Sequence, residues 1–220
     1  MQINFKESYL QDLYSKGIAD KKHRFQPQVV KKYAHVIDLM KYEYDVLGLM
    51  KYKALHYEHL SGDKQGLSSV RVNDQYRIEF EEETESGKSV ATICNITKLS
   101  NHYKKTFMEK NTRYTGKTAN ELTPFIPTHP GAILKDEIEC RGISVPRLAE
   151  DMGVECSDLE DVLNEKRPLT EKMALLLEAA LDINAEPLMR MQTSYNMQTA
   201  RHDRSFMEKL AMVRRVAAVL

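Results

Sequence analysis

The sequence predicts two small domains in one chain: an α+β domain with helices packed on a small antiparallel sheet, then an all-α bundle containing a helix-turn-helix. Three observations carry this. A chain of 220 residues is long for one ordinary domain and suits two of about 100 residues, each large enough to bury its own core. Period-two apolar alternation is confined to the first half, and the second half is spaced for helices throughout. Between them, residues 108–128 are polar, carry Gly116, Pro124 and Pro127, and lack periodicity, as a linker does. The expected division is therefore 1–107, a linker over 108–128, and 129–220.

In the first domain, residues 2–7 alternate as a strand with Ile3 and Phe5 on one face. Pro27 opens a helical run in which Val30, Tyr33, Ile37, Met40 and Tyr44 recur every three or four residues. After Leu60 the period becomes two: Gly62 and Gly66 punctuate a loop, strands occupy 67–72 and 75–81 around Asn73-Asp74, Ser86-Gly87 turns the chain, and 90–96 is a third strand. In the second domain, Pro130 begins an amphipathic helix with Ile133, Leu134 and Ile138 that ends near Gly142. Ser144 caps a short helix, Gly153 turns the chain into a helix over 154–163, and Thr170 caps another that runs through Leu181. Ala149 is small enough to admit a crossing helix, and Gly153 four residues later makes the tight turn before Val154 and Leu163, which are expected to be buried. A last helix, capped by Asp203, puts Phe206, Leu210, Val213, Ala217 and Leu220 on one side and Arg214-Arg215 on the other, a pattern that suits docking on a partner or on this domain.

Composition excludes several functions. The chain is 42% hydrophobic, has no apolar run near the ~18 residues of a membrane span, and opens on MQINFKESYL, unlike a signal peptide; a cytoplasmic protein with no membrane partner is expected. Cys94, Cys140 and Cys156 are odd in number and far apart, without Cys-x-x-Cys, so they read as reduced and structural, with no metal site. No phosphate-binding glycine loop, His-Glu-x-x-His or Gly-x-Ser-x-Gly is present, so no cofactor is indicated. The zero net charge hides an asymmetry: residues 1–107 hold 17 basic and 14 acidic side chains, and 108–220 hold 15 and 18. The halves are electrostatically complementary, and the basic one favours polyanions.

Residues 1–105, through LSGDKQGLSSVRVNDQYRIEF, resemble the HigB-like toxins of the RelE superfamily, and residues 128–220, through THPGAILKDEIECRGIS and LAEDMGV, resemble HigA-like antitoxins with an XRE-type helix-turn-helix. The chain thus looks like a toxin and its antitoxin fused in the gene order usual for the pair. The resemblance implies a RelE-like fold and a ribosome-dependent, metal-independent mRNA endoribonuclease that inhibits translation, so the ribosome and mRNA are expected partners of the first half. It also implies an antitoxin half that neutralises the toxin, binds operator DNA as an autorepressor and forms a homodimer; a free antitoxin is a further expected partner.

Metal-free RNA cleavage directs the 2′-hydroxyl onto the neighbouring phosphate, and charge developing on its oxygens is best held by a planar, always charged guanidinium. Arg77 is the leading catalytic candidate. Arg71, on the facing strand, stands beside it or on the opposite face, according to the register. His56, Glu58 and His59, just before the loop at Gly62, and His102 and Tyr103, near where family members place a functional His or Tyr, are candidates for proton transfer, with His59, His102 and Tyr103 the leading ones. Lys64 and Lys53 are candidate RNA contacts; Lys64 replaces the basic residue that relatives carry before the glycine of this loop, here Gly62. In the second half, the recognition helix presents Glu155, Asp158, Glu160 and Asp161 where DNA is negative, and Glu165 stands where relatives place Gly. Ser157, Lys166 and Arg167 remain as candidate DNA contacts. The alternative reading is a transcriptional regulator whose toxin-like half is a catalytically idle scaffold.

Overall fold

The computed structural model describes residues 1–18, 20–101 and 116–217. Its first half is a five-stranded sheet, in the order β1-β5-β4-β3-β2, with two main helices on one face. β1 (Gln2–Phe5) leads into α1 (Ser8–Lys16), which ends at Gly17 in the left-handed region, and α2 (Pro27–Tyr42) starts with Pro27 in its first turn. A short α3 (Val46–Met50) and a 3-10 turn (Lys53–Leu55) lead to β2 (Glu58–His59), β3 (Ser68–Arg71), β4 (Tyr76–Glu83) and β5 (Ile93–Asn101). The expected meander is present, with one difference: β1 joins β5 in parallel, so the sheet is mixed. The third expected strand, over 90–96, instead begins at Ile93 and continues to Asn101, accommodating a register shift opposite Glu79 and Phe80.

The second half is helical: α4 (Pro130–Cys140), α5 (Val145–Met152), α6 (Cys156–Leu163), α7 (Glu171–Leu181), α8 (Ala185–His202) and α9 (Arg204–Ala217). The His129-Pro130-Gly131 motif acquires a physical reason. Buried His129 caps α4 by accepting the Gly131 N–H at 3.0 Å on Nδ1, and a Cβ on Gly131 would stand 2.0 Å from the Val162 carbonyl oxygen, so only glycine lets α4 approach α6 this closely. Gly153 takes φ 65° between α5 and α6, as the helix-turn-helix requires, with Ala149 buried beneath it; Val154 is only half-buried, since the turn leaves its side chain at the rim.

α2 is buried almost all the way round, because the sheet lies on one side and the second half on the other. Tyr44 falls outside this helix and is exposed, because the chain turns at Glu43. The described part of the expected linker also packs: Ala119 and Thr128 are buried, the Asn120 side chain accepts the Ile3 N–H at 2.9 Å, and the Phe125 N–H donates to the Tyr14 carbonyl at 2.9 Å. Cys94 is buried as expected of a structural cysteine, whereas Cys140 is exposed; all three are free thiols. None of the described helices is long and apolar enough to cross a membrane.

Candidate functional site

The β3–β4 register sets Arg71 directly opposite Arg77, one step from the Val70 and Ile78 pair. Directly opposed residues of an antiparallel pair share a face, and successive residues alternate. Val70 and Ile78 are fully buried in the core, so both arginines belong to the other face, which settles the position of Arg71 relative to Arg77. Glu58 opposes Ser69, Ser69 opposes Glu79, and Arg77 opposes Ser100, so these polar groups form a band across four strands.

Within this band the Arg77 Nε lies 3.5 Å from a Glu58 carboxylate oxygen, and the Ser69 hydroxyl donates to the same oxygen at 3.1 Å. Arg71 pairs with Asp74 at the hairpin turn. Lys64 reaches in from its loop to the buried Glu79 carboxylate at 2.5 Å. The Arg77 side chain is 18% exposed, against 45% for Glu58, so the guanidinium sits on the floor with its carboxylate above it. Two guanidiniums and an ammonium over serine hydroxyls make a surface able to hold a phosphate, and among the described residues Glu58, in contact with Arg77, is a proton acceptor within reach.

Other expected site residues do not converge here. His59 follows Glu58 and therefore points to the opposite face, where its Nδ1 is 2.9 Å from the Ser68 hydroxyl and its ring meets Tyr57 edge-on. Lys53 lies in the 3-10 turn against α4, away from the band. His102 and Tyr103 lie outside the described residues. Strand alternation was the signal that could have favoured Glu58 over His59.

In the helix-turn-helix, Ser157 is exposed on α6. Arg167 is bound by Asp158, and Lys166 lies 3.9 Å from Asp161, so both cations are turned back onto the acids of their own recognition helix. Glu165 adopts φ 61° just past α6, where the Lys166 N–H donates to the Asp161 carbonyl at 2.8 Å in a Schellman closure. This left-handed position is the one where the resemblance led us to expect glycine.

The halves are joined by a contact that sequence reading did not anticipate. Glu137 of α4 is completely buried, and its two oxygens accept the Lys53 N–H at 2.9 Å and the Ala54 N–H at 2.8 Å. Arg141 pairs with the same carboxylate at 2.5 Å and donates to the Lys51 carbonyl at 3.0 Å. Nearby, buried Asp38 of α2 accepts the hydroxyls of Tyr14 at 2.6 Å and Thr128 at 2.7 Å, and Lys32 pairs with Asp136 at 2.9 Å. Asn184 donates to Glu43 at 3.2 Å, and Arg190 lies over the Tyr44 ring.

Residues 3–92 match the family described as RelE-like toxin of type II toxin-antitoxin system HigB. Toxin HigB-1 of Vibrio cholerae serotype O1 is 32% identical over 85 residues, which are 37% of this chain and 83% of that protein. Virulence-associated protein I of Dichelobacter nodosus is 32% identical over 77 residues, 34% of this chain and 71% of that one. Among solved structures, the antitoxin GraA (32% identity, 36% of this chain, 87% of that one, TM-score 0.35) is similar. So is the antitoxin HigA of Pseudomonas aeruginosa solved with the higBA promoter (35% identity, 34% of this chain, 82% of that one, TM-score 0.33).

Proposed function

From the premise that this chain belongs, through residues 3–92, to the family of HigB-like RelE toxins, we propose that its first half is a metal-independent mRNA endoribonuclease acting at the ribosome, held inactive by its own second half. The observation that carries this reading is the pair of directly opposed arginines on one sheet face. In the proposed reaction the 2′-oxygen bonds to phosphorus, the bond to the 5′-oxygen breaks as that oxygen takes a proton from solvent, and a 2′,3′-cyclic phosphate and a 5′-hydroxyl result. Arg77 and Arg71 hold the non-bridging oxygens as charge grows on them. Glu58 accepts the 2′-hydroxyl proton, which requires its contact with Arg77 to open when RNA enters. Inhibition acts through the Glu137 contact: it pins residues 51–54, which run directly into the strand that carries Glu58. The tether keeps the second half at a millimolar effective concentration, so the toxin half is covered nearly all the time.

The second half supplies the helix-turn-helix, and operator binding by a dimer is proposed for it, with α6 in the major groove and Ser157, Lys166 and Arg167 as its contacts. The self-paired cations support weak rather than tight binding. The reading is tested by inducing residues 1–107 alone. Growth arrest is expected from this half and not from the full chain, and Arg77→Ala is expected to abolish the arrest. Arg77→Lys should also lose most activity, because one ammonium does not replace two parallel hydrogen bonds. A folded Arg77→Ala half that still cleaves ribosome-bound mRNA at the parent rate sinks the assignment and favours an idle scaffold.

A further inference from the structure

A cleft lies where α2, the segment over 120–124 and α8 meet; its volume is about 390 Å³. Its lining includes Lys41, Arg190 and Arg201 and no acidic residue. Tyr42 contributes an aromatic wall beneath the Lys41 ammonium, which stands 5.0 Å from its ring centroid, and Thr123 and Ser194 add hydroxyls. Lys41 is paired with Asp38 at 3.2 Å and Arg190 with Glu186 at 2.9 Å, whereas Arg201 has no carboxylate partner among the described residues.

We propose that this cleft is a binding site for a phosphate-bearing small molecule, with Arg201 as its principal anchor and Arg190 and Lys41 completing the cradle. The chemistry suits an anion: three cationic residues from two elements line one concavity, hydroxyls stand beside them, and the lining holds no acid; Arg201 is the exposed one, whereas the Lys41 ammonium also donates to the Tyr14 hydroxyl at 2.8 Å. Arg201 presents a planar fork of N–H donors suited to phosphoryl oxygens. Lys41 comes from the first half, Arg190 and Arg201 from the second, and Thr123 from the segment that connects them. A ligand held by all three bridges the halves and favours their association by mass action. The site is independent of the ribonuclease reading, since it lies across α2 from the arginine band.

The test uses the full chain and inorganic pyrophosphate at constant ionic strength, with binding followed by calorimetric titration and thermal unfolding. Saturable one-to-one binding and a rise in the unfolding midpoint are expected. Arg201→Ala should weaken binding about tenfold, the loss of one charge-assisted contact. Arg204→Ala removes the same charge just outside the cleft and should leave affinity unchanged. Lack of saturable binding, or equal weakening by the two substitutions, overturns the proposal.

Discussion

Two sets of ion pairs, one at the junction of the halves and one on the recognition helix, use the same chemical groups with opposite consequences. At the junction, Glu137 is wholly buried and accepts two backbone N–H groups and the guanidinium of Arg141 at the end of its helix, so both carboxylate oxygens are engaged. On the recognition helix, Asp158 and Arg167 are about half exposed, and their pairing restrains two side chains in water. Removing one partner of the buried set strands charges and amides without solvent, whereas removing one of the exposed set merely rehydrates the other. The first set holds the halves together; the second sets how much positive charge the helix presents on its surface.

The contrast is broken most severely at Glu137. Glu137→Ala should cost about 3–5 kcal/mol in association of the halves, the penalty of an abandoned buried charge partner, and should release toxicity from the full chain. Denaturant unfolding and growth assays check both effects; a loss below about 1 kcal/mol would remove the junction from the mechanism of inhibition.

Next in size is a pH effect at His35, buried on α2 beside the cleft lined by α4, where desolvation first, then Lys31 and Lys32, pushes its pKa down to about 4. The unfolded chain takes up this proton near pH 6.5, so the contribution of His35 is fully present above that value. It falls as the pH drops toward about 4, by up to about 1.4 kcal/mol per pH unit. Stability measured from pH 7 to 4 should flatten in His35→Leu relative to the parent after other groups cancel.

A smaller change sharpens the recognition-helix side. Glu165 occupies a left-handed position, so Glu165→Gly should raise stability by about 0.5–1 kcal/mol, read as an increase in the urea midpoint with an unchanged slope. Smallest of all is Asp158→Ala, expected to change stability by less than about 0.5 kcal/mol. It frees Arg167 for phosphate, so the plot of log affinity for duplex DNA against log salt should steepen by about one. An unchanged slope would mean that Arg167 does not face DNA.

These differences follow what the sequence makes legible. The hairpin, the glycine turns and the helix-turn-helix were readable because local patterns impose them: alternation, left-handed positions, caps such as Thr170, whose hydroxyl accepts the Met173 N–H. α1 and α8 passed unrecognised; α8 mixes apolar and polar residues and is held by packing on α2 and α7. The parallel pairing of β1 is nonlocal, joining residues some 90 apart in sequence, and no turn announces it. Glu137 did leave a trace, as a charged residue four places after Ile133 and three after Leu134, on the stripe that must be buried. A charge on such a stripe implies a partner, but the partner was the backbone of another domain, which no side-chain pattern encodes.

The double covering of α2 also has a consequence in time. Its outer side, with Val36 and Leu39 in the cleft opposite Ile133, is completed only by residues that come later in the chain. Synthesis proceeds from the N-terminus at about 5–20 residues per second, so the first half leaves the exit tunnel on the order of ten seconds before α8 is available to close over it. During each round of translation, an arginine-bearing sheet proposed to act on ribosomes is thus displayed beside the ribosome that is making it, with the half proposed to inhibit it still unwritten. Expression rate and ribosome spacing, rather than affinity, then set how often a nascent chain meets the transcript of its neighbour.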